Sequence, residues 1–553
     1  MADKSALDAE DKYKSEVEQT IEYVERFDIL ETINNVGNDE VFTPKKVVDM
    51  MLDTLPEEVW HNPDYKWLNP ASKTGIFERE IAMRLDEGLK EIIPDVEKRR
   101  KHILQDMIFA IGQTKFTSNV ARRTVYYCCQ ANRKCDGIKA SDGHYVNGYA
   151  IGNGTWFDDE EGNIKTPISE HVINPKTKRC IYCSMSEDSK YLSANQLEKY
   201  SYDFIHQDPG ANLQKYLSDL FFEGDLDMKF DVIIGNPPYQ LSTTSKSAQA
   251  TPIYQKFVMQ AVSLNPRYIS MIIQSKWFAG GMPSLDDFRD YMSNCHKIRS
   301  LTDYSDSKEC FSSNSNAGGV NYFLWDREYN GPCEFTNING LDISTERRAL
   351  DEFAKIVRYN HAVPILRKVL DKKEKTLDEI TSPLMPFGLP TDVRGVEEPD
   401  INHNVALYAS TGVSYLKKDS IKKGNDYLDS YNVLIGTLGA EHGLEPDNDG
   451  KFRVITSSMR VLKPNEACTH SYFVVGKFSD ETRAKSLYNY LKTKFARFLI
   501  LLSMSSTHLS SKVMIYLPQQ DFSKLYTDEE LYKKYELTPS EIEYIEKLMK
   551  EMP

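Results

Sequence analysis

The 553-residue chain has few of the features that mark membrane and secreted proteins. It contains no run of about 18 apolar residues, the length that a membrane-spanning helix needs. The opening stretch MADKSALDAEDKYKSEVEQ is charged from its start, so we expect no signal peptide. Nine cysteines without a secretion signal predict reduced thiols or a metal rather than a disulfide framework. These absences predict a globular cytoplasmic protein.

Positive charge is also scarce, since 68 Lys and Arg face 82 Asp and Glu and the net charge is -14. Polyanions are bound mainly through Lys and Arg, so the balance argues against a uniformly basic surface. The acidity is uneven, however, because residues 341–520 hold roughly 25 basic against roughly 22 acidic side chains. One face of such a chain can be basic, so nucleic acid stays among the expected partners.

Short apolar runs alternate with helical stretches between residues 41 and 325. The runs are YKWLNP, MIFAIG, YDFIHQD, FDVIIGNPP, YISMIIQS and VNYFLW. This alternation predicts an α/β fold in which short strands form a mostly parallel sheet. A Gly-, Asn- and Cys-containing stretch at residues 128–200 is too long for an ordinary loop, and we interpret it as an insertion.

The two ends of the chain follow other patterns. Residues 1–35 predict a charged amphipathic helix, because their apolar positions recur at helical spacing. Residues 331–525 have mixed periodicity broken by segments such as TSPLMPFGLP, which predicts a separate α+β unit. Residues 526–553 predict a helical tail, in which Thr538 and Glu541 cap a helix. We find no internal repeat.

The segment FDVIIGNPPYQ joins an apolar strand to Asn236, Pro237, Pro238 and Tyr239. In doubly wound sheets, ligands bind outside the carboxyl ends of the strands, which is where such a segment would lie. An Asn carbonyl and the peptide carbonyl after it can together accept both hydrogens of an amino group. The Tyr ring offers a surface on which a flat base can stack. The set suits the exocyclic amine of a purine, although two prolines also suit a simple strand end with Tyr packed on it.

This segment resembles motif IV of the amino-methyltransferases, and other stretches match the γ-class N6-adenine DNA methyltransferases in the expected order. EVFTPKKVVDMMLD is similar to motif X, WLNPASKTGIFEREI to motif I, YDFIHQD to motif III and ECFSSNSNAGGVNYFLW to motif VIII. The resemblance covers most of residues 36–330 and implies a Rossmann-like, S-adenosylmethionine-dependent methyltransferase domain. Motif order is its specific part, since NPPY also occurs in protein and RNA methyltransferases.

The resemblance also implies roles for single residues. Asn236 and the Pro237 carbonyl would activate N6 of an adenine flipped out of duplex DNA, and the rings of Tyr239 and Phe311 would stack on that base. The implied cofactor contacts are Phe42, Thr43, Pro44, Asn69, Pro70, Ala71, Gly75, Phe77, Gln113, Asp208 and Asn236.

Elementary chemistry gives several of these positions a second interpretation. Gly75 permits a close backbone approach beside helix amides that suit a cofactor carboxylate, although a plain strand-to-helix turn fits the spacing equally well. Phe42, Thr43 and Pro44 suit a wall of the cofactor site or simply a helix start with Pro in its first turn. Asp208 suits the adenine amine of the cofactor or an ordinary helix cap.

Two positions depart from the pattern of the class. Motif I usually opens with an acid and carries more glycine, whereas Asn69 and Lys73 stand here. Gln113 and Thr114 follow FAIG, where an acid commonly binds the ribose hydroxyls. Either change would weaken cofactor binding. The sequence therefore leaves two alternatives to an active DNA adenine methyltransferase, namely an RNA or protein amino-methyltransferase and a non-catalytic DNA-binding subunit of a complex.

The predicted insertion contains a metal-binding pattern. Cys180 and Cys183 have the two-residue spacing of a zinc knuckle. The remaining ligands of a structural zinc ion would come from Cys128, Cys129, Cys135, His144 or His171. The competing interpretations are a redox pair and plain small core residues.

Reading a target sequence requires a second surface, because Arg, Lys, Asn or Gln side chains must reach the base edges. We expect the unit at residues 331–525 to be a target-recognition domain, with candidates near IGTLGAEHG, KFRVITSSMRVLK and SSTHLSSK. The C-terminal stretches are loosely similar to stand-alone methyltransferase subunits of restriction-modification systems. Since no acidic pair with a Lys marks a nuclease, cleavage would come from a partner, a separate restriction endonuclease or helicase subunit.

Overall fold

The fold comes from a computed structural model, which describes residues 42–127, 161–187, 200–241, 251–280, 283–311, 318–441, 446–447, 449–504 and 508–552. The predicted helix at residues 1–35 lies outside these residues, as does the larger part of the predicted insertion at residues 128–200. Four proposed metal ligands also lie outside the described residues, namely Cys128, Cys129, Cys135 and His144.

Eleven described strands belong to the first unit of the chain. They are β1 Trp67–Ser72, β2 Ile108–Gly112, β3 Ile164–Lys165, β4 Ile173–Asn174, β5 Arg179–Cys180, β6 Val232–Gly235, β7 Tyr268–Gln274, β8 Ile298–Tyr304, β9 Val320–Asp326, β10 Cys333–Asn339 and β11 Asp342–Arg348. Strands β4 and β5 form a separate antiparallel hairpin. The other nine form one sheet in the order β11-β10-β8-β9-β7-β6-β1-β2-β3.

Five neighbouring strands of this sheet, β3, β2, β1, β6 and β7, run parallel to one another. Strand β9 is antiparallel to β7 and β8, and β10 is parallel to β8 but antiparallel to β11. The described helices of this unit are α1 Lys45–Leu52, α2 Ile76–Gly88, α3 Val96–His102, α4 Lys115–Arg122, α5 Ala211–Phe221, α6 Tyr254–Ser263 and α7 Pro283–Asn294. The predicted α/β fold with a mostly parallel sheet is confirmed.

The strand order reverses between β1 and β6. The chain runs from β1 outward to β2 and β3 and then returns to β6 on the other side of β1. Both strands are buried along their whole length, as expected of central strands covered on two faces. They pair only through Trp67 with Val232 and Leu68 with Ile233, and beyond these pairs their carboxyl ends part. Such a switch point is where doubly wound sheets bind ligands.

One predicted strand is wrong. The run YDFIHQD does not join the sheet, because Tyr200–Ile205 forms a 3-10 helix. The sheet position beside β2 is taken by β3, whose Ile164 pairs with Ala110. Residues Ser201 through Ile205 are all buried, and a short run without an exposed position shows neither the helical nor the strand period.

The sheet continues past residue 330, where the sequence pattern suggests a boundary. Strands β10 and β11 are its outer strands, and the first hydrophobic core extends to Ile356. A second core begins at Val357 and includes residues from the last helices, among them Leu531 and Ile545. The C-terminal helices therefore pack into the second unit.

The second unit is α+β, as predicted for the C-terminal region. Its strands are β12 Val405–Ala409, β13 Gly412–Leu416, β14 Tyr431–Gly436, β15 Arg460–Leu462, β16 Glu466–Cys468 and β17 Tyr472–Phe478. They form two three-stranded sheets, β13-β12-β16 and β15-β14-β17. Its helices are α8 Val363–Asp371, α9 Asn425–Leu428, α10 Glu481–Lys492, α11 Lys494–Leu502, α12 Asp528–Lys534 and α13 Pro539–Leu548.

Helix α13 begins as the sequence predicts. The Thr538 side chain accepts from the Glu541 amide, and the Glu541 carboxylate accepts from the Thr538 amide. Within the described residues, we find no helix with the length and apolar character needed to cross a membrane.

Candidate active site

Strand β6 ends at Gly235 and delivers Asn236 to the switch point. Asn236 is 2% exposed, and its Nδ2 donates a hydrogen bond of 3.0 Å to Oγ1 of Thr43, which lies 193 residues earlier in the chain. Thr43 is itself buried and immediately precedes Pro44, the residue that caps α1. Because an amide group is planar, anchoring the nitrogen on Thr43 turns the Asn236 carbonyl oxygen the other way.

Asn69 lies in the neighbouring strand β1, and its side chain fills the space beside Gly235. Its Oδ1 accepts from the Ala71 amide at 3.0 Å, and its Nδ2 donates to Oε1 of Glu78 at 2.9 Å. A Cβ atom at Gly235 would lie 2.4 Å from Asn69 Oδ1, so this strand end requires glycine. The two asparagines therefore lie close together at the carboxyl ends of the neighbouring central strands β1 and β6.

Glu78, in the first turn of α2, is a charged residue of this site that sequence reasoning missed. It is 1% exposed, and burial raises the pKa of its carboxyl group against the hydrogen bonds that lower it. A narrow cleft opens beside it. The cleft is lined by Thr43, Asn69, Ala71, Lys73, Thr74, Gly75, Ile76, Phe77, Glu78 and Asn236.

The cleft brings together six of the predicted cofactor residues, namely Thr43, Asn69, Ala71, Gly75, Phe77 and Asn236. Phe42, Pro44, Pro70, Gln113 and Asp208 do not line it. Gly75 adopts a φ of +79°, and a Cβ there would lie 2.9 Å from Cα of Ala121 in α4. The close approach that calls for glycine at this position is thus made by a neighbouring helix.

Gln113 follows β2 and is fully buried. Its backbone amide donates to the Ser72 carbonyl at 2.8 Å, which ties the ends of β1 and β2 together. Its Oε1 accepts from Ser201 Oγ at 3.2 Å, while Nε2 has no hydrogen-bond partner among the described residues. A buried amide donor without a partner costs free energy.

Asp208 lies after the 3-10 helix and is exposed. Its Oδ1 accepts from the Tyr182 hydroxyl at 3.1 Å, and its Oδ2 accepts from Asn212 Nδ2 at 3.5 Å. The carboxylate is therefore already oriented by the β4–β5 hairpin and by α5, and it keeps capacity for a further donor.

The two rings predicted to hold the base are both buried. Tyr239 is 7% exposed and meets Tyr254 edge to face, with the ring centroids 6.4 Å apart. Its hydroxyl has no hydrogen-bond partner among the described residues. Burial raises the pKa of Tyr239 well above its usual value, with a smaller contribution from Cys310. Cys310 directly precedes the second ring, Phe311, which is 1% exposed, so the two elements adjoin.

A separate cluster of metal-ligating side chains lies at the β4–β5 hairpin. The ligand atoms of His171, Cys180, Cys183 and His206 all lie within 4.8 Å of one another. His206 belongs to the run YDFIHQD and was not predicted as a ligand. Its only signal in the sequence is its place two residues before Asp208, because its partners are more than 20 residues away along the chain.

Comparison with known proteins gives one family and one close relative. Residues 106–311 match the family described as Eco57I restriction-modification methylase. Over 338 residues the chain is 44% identical to an uncharacterized adenine-specific methylase of Mycoplasma pneumoniae, and the match covers 60% of this chain and 77% of that protein.

Similarity to solved structures is weaker. The type IIL restriction-modification enzyme MmeI, in complex with DNA, gives a TM-score of 0.42 at 12% identity over 91% of this chain and 71% of that one. A nuclease-deletion mutant of the type ISP enzyme LlaGI, with a DNA substrate mimic, gives 0.43 at 12% identity over 85% of this chain and 45% of that one. The chain spans about half the length of two type I restriction-modification chains that it also matches.

Proposed function

The chain belongs to the adenine-specific methylases of the restriction-modification type, and from this membership we propose that it methylates N6 of a flipped adenine in duplex DNA, with S-adenosylmethionine as the methyl donor. It would act as the modification component of a restriction-modification or related defence system. The proposed partners are double-stranded DNA and a separate restriction endonuclease or helicase subunit.

The observation that carries the proposal is the buried hydrogen bond from Asn236 to Thr43. This hydrogen bond uses the amide nitrogen of Asn236, so the carbonyl oxygen of the same amide points away from Thr43. With the Pro237 carbonyl as a second acceptor, this oxygen can hold both N–H groups of an amine. Accepting both hydrogens draws the nitrogen toward a tetrahedral form whose lone pair is nucleophilic. The methyl group would leave the sulfur of the donor as the N–C bond forms, and one proton would then pass from N6 to solvent, so no strong base is needed beforehand.

Tyr239 and Phe311 would hold the flipped base by stacking. Both rings are buried and their elements adjoin, which supports a shared role in holding a flat base. The Tyr239 hydroxyl has no hydrogen-bond partner among the described residues, so binding of a base would break no hydrogen bond of this group. Pro237 and Pro238 restrict the backbone of the loop and thereby keep Asn236 and Tyr239 in fixed relation.

The cleft beside Asn69 suits the donor molecule. S-adenosylmethionine supplies an electrophilic methyl carbon when it is bound. The Glu78 carboxyl group lies at this cleft, and an ammonium group bound beside it would favour its ionised form, which would supply the negative charge that Asn69 does not. The orphan amide of Gln113 suits a ribose hydroxyl, and Asp208 suits the adenine amine.

The proposal is tested by incubating the purified chain with S-adenosylmethionine and unmethylated duplex DNA of high sequence complexity, followed by sequencing that detects modified bases. The expected result is N6-methyladenine confined to one short sequence context. Cofactor binding is measured in parallel by calorimetry. Cofactor binding without DNA modification would redirect the assignment to an RNA or protein substrate. Failure to bind the cofactor would refute the enzyme and favour a non-catalytic DNA-binding subunit.

The second unit is our candidate for sequence recognition, because the described parts of the three stretches IGTLGAEHG, KFRVITSSMRVLK and SSTHLSSK lie together in it. Leu438 pairs with His508 in an isolated β-bridge, and the Ala440 amide donates to the Val454 carbonyl at 3.1 Å. Arg460 and Lys512 are exposed in the same stretches. Loop residues gathered from distant parts of a chain onto a fixed scaffold are the usual material of a recognition surface.

Exchanging residues 357–552 for the corresponding unit of a relative with another target should therefore change the methylated sequence to that of the donor. The cut at residue 357 follows the division between the two cores, so each core stays complete. The methylated contexts of the chimera and both parents are compared by sequencing. A chimera that is active on the original target would contradict this assignment.

A further inference from the structure

The β4–β5 hairpin contributes three ligands to the metal-ligating cluster described above, and the methyltransferase core contributes the fourth. His171 precedes β4, Cys180 ends β5 and Cys183 lies in the turn that follows. His206 comes from the segment after the 3-10 helix of the core. The four ligand atoms lie within 4.8 Å of one another although the hairpin and His206 are separated in the chain.

The distances suit a tetrahedral metal ion. With Zn–S and Zn–N bonds of about 2.3 and 2.05 Å, a tetrahedral angle sets the S···N separation at about 3.6 Å. Cys183 Sγ lies 3.5 Å from His171 Nδ1. Two thiolates and two imidazoles are a donor set typical of structural zinc, because these softer ligands disfavour magnesium and calcium.

His206 supplies an independent observation. It is only 6% exposed, and among the described residues its ring nitrogens find no hydrogen-bond partner of good geometry, the nearest polar group being the Cys180 thiol of the same cluster. Its ring meets that of His171 edge to face, with the centroids 4.7 Å apart. A buried imidazole normally satisfies at least one nitrogen, since leaving both unsatisfied costs free energy. Coordination to a metal would satisfy one of them.

We propose that His171, Cys180, Cys183 and His206 bind one structural zinc ion, which fastens the hairpin to the methyltransferase core. Four protein ligands leave no open coordination position, so the ion would take no part in chemistry. The loop between the two cysteines then becomes a fixed element of the core surface. Its Tyr182 hydroxyl contacts Asp208, and its Tyr182 carbonyl accepts from Lys256 of α6.

The test measures the metal content of the full-length chain, purified under reducing conditions from cells grown with added zinc. We expect about one zinc per chain in the wild type. His206→Ala and the double variant Cys180→Ser/Cys183→Ser should each fall below about 0.2 zinc per chain. Cys295→Ser is the matched control, because Cys295 is a half-buried free cysteine outside the cluster, and this variant should keep its zinc. Retention of zinc by the double cysteine variant would overturn the proposal.

A second measurement on the wild type does not depend on whether the variants fold. Replacing the bound ion with Co²⁺ should produce thiolate-to-metal charge-transfer absorption together with the visible bands of a tetrahedral site. Removing the ion with a chelator should lower Tm, because a metal that binds only the folded chain stabilises it. A folded, reduced wild type that binds neither zinc nor cobalt would refute the site. So would purification of the chain with Cys180 and Cys183 joined as a disulfide.

Discussion

Asn236→Ala is expected to lower the single-turnover rate of adenine methylation by about 100- to 1000-fold while leaving the fold intact. This range is what removal of one preorganised hydrogen-bonding group costs in enzymes that stabilise developing charge. The Asn236 amide oxygen is preorganised in that sense, because Thr43 Oγ1 holds the amide nitrogen at 3.0 Å in a buried site. Alanine removes the acceptor without disturbing β6, whose residues end at Gly235. The rate is measured at saturating cofactor and DNA, alongside circular dichroism and Tm.

Two further variants make the result specific to the carbonyl acceptor. Asn236→Asp keeps an oxygen acceptor, and the Thr43 hydroxyl can rotate to donate to it, so this variant should lose less of the rate than Asn236→Ala. Asn294→Ala is the matched control, since Asn294 is exposed at the end of α7 and its amide donates only within its own helix. It should stay within about threefold of the wild-type rate. An Asn236→Ala enzyme within that same range would refute the mechanism.

The meeting of β1 and β6 follows from the sequence, but the residues that complete the site do not. In both WLNPAS and VIIGNPPY, Asn and Pro follow apolar residues, and a parallel α/β order brings the carboxyl ends of such strands together. Glu78, Arg79 and Glu80 are three adjacent charged residues in α2 and look like a solvated face. All three are buried, because Arg79 pairs with Glu80 and Asn69 donates to Glu78. The burial of these charged side chains depends on tertiary contacts, which the local sequence pattern does not reveal.

The same limit explains the boundary between the units. The pair Asn339 and Gly340 predicts a tight hairpin, and β10 and β11 do pair antiparallel around it. Attachment of this hairpin to β8 rests on contacts such as Phe335 with Leu301, more than 30 residues apart. Pattern within a strand carries no information about which distant strand it joins. A mixed periodicity after residue 330 is therefore equally consistent with a new unit and with further strands of the first sheet.

The largest effect on stability is expected from breaking a buried ion pair where the two units meet. Asp303, in β8, is fully buried, and both its carboxylate oxygens accept from Arg358 at 2.8 Å. Ser275 Oγ and Asn337 Nδ2 donate to the same carboxylate at 2.6 and 3.1 Å. Arg358 follows directly on Val357, the first residue of the second core. The Asp303 carboxylate in β8 thus connects the end of β7 and strand β10 to Arg358 at the start of the second unit.

Asp303→Ala should lower the free energy of unfolding by about 3 to 5 kcal/mol, because it leaves a buried guanidinium without its counter-ion. Urea denaturation followed by circular dichroism measures the change. The matched control is Glu352→Ala, which removes an equally two-pronged carboxylate from Arg367 at the surface, where Arg367 is 44% exposed. Solvent and salt screen that pair, so its loss should cost at most about 1 kcal/mol. Equal effects of the two variants would contradict the argument from burial.

The double variant Asp303→Ala/Arg358→Met separates the unpaired charge from the lost contacts. If the cost of Asp303→Ala comes mainly from the uncompensated Arg358 charge, removing that charge should restore part of the lost stability, since an apolar side chain of similar length is not penalised by burial. Arg358 also donates to the Gly318 carbonyl at 2.8 Å, so the recovery should be incomplete. A double variant less stable than Asp303→Ala would instead show that the hydrogen bonds of Arg358, rather than its charge, dominate at this junction.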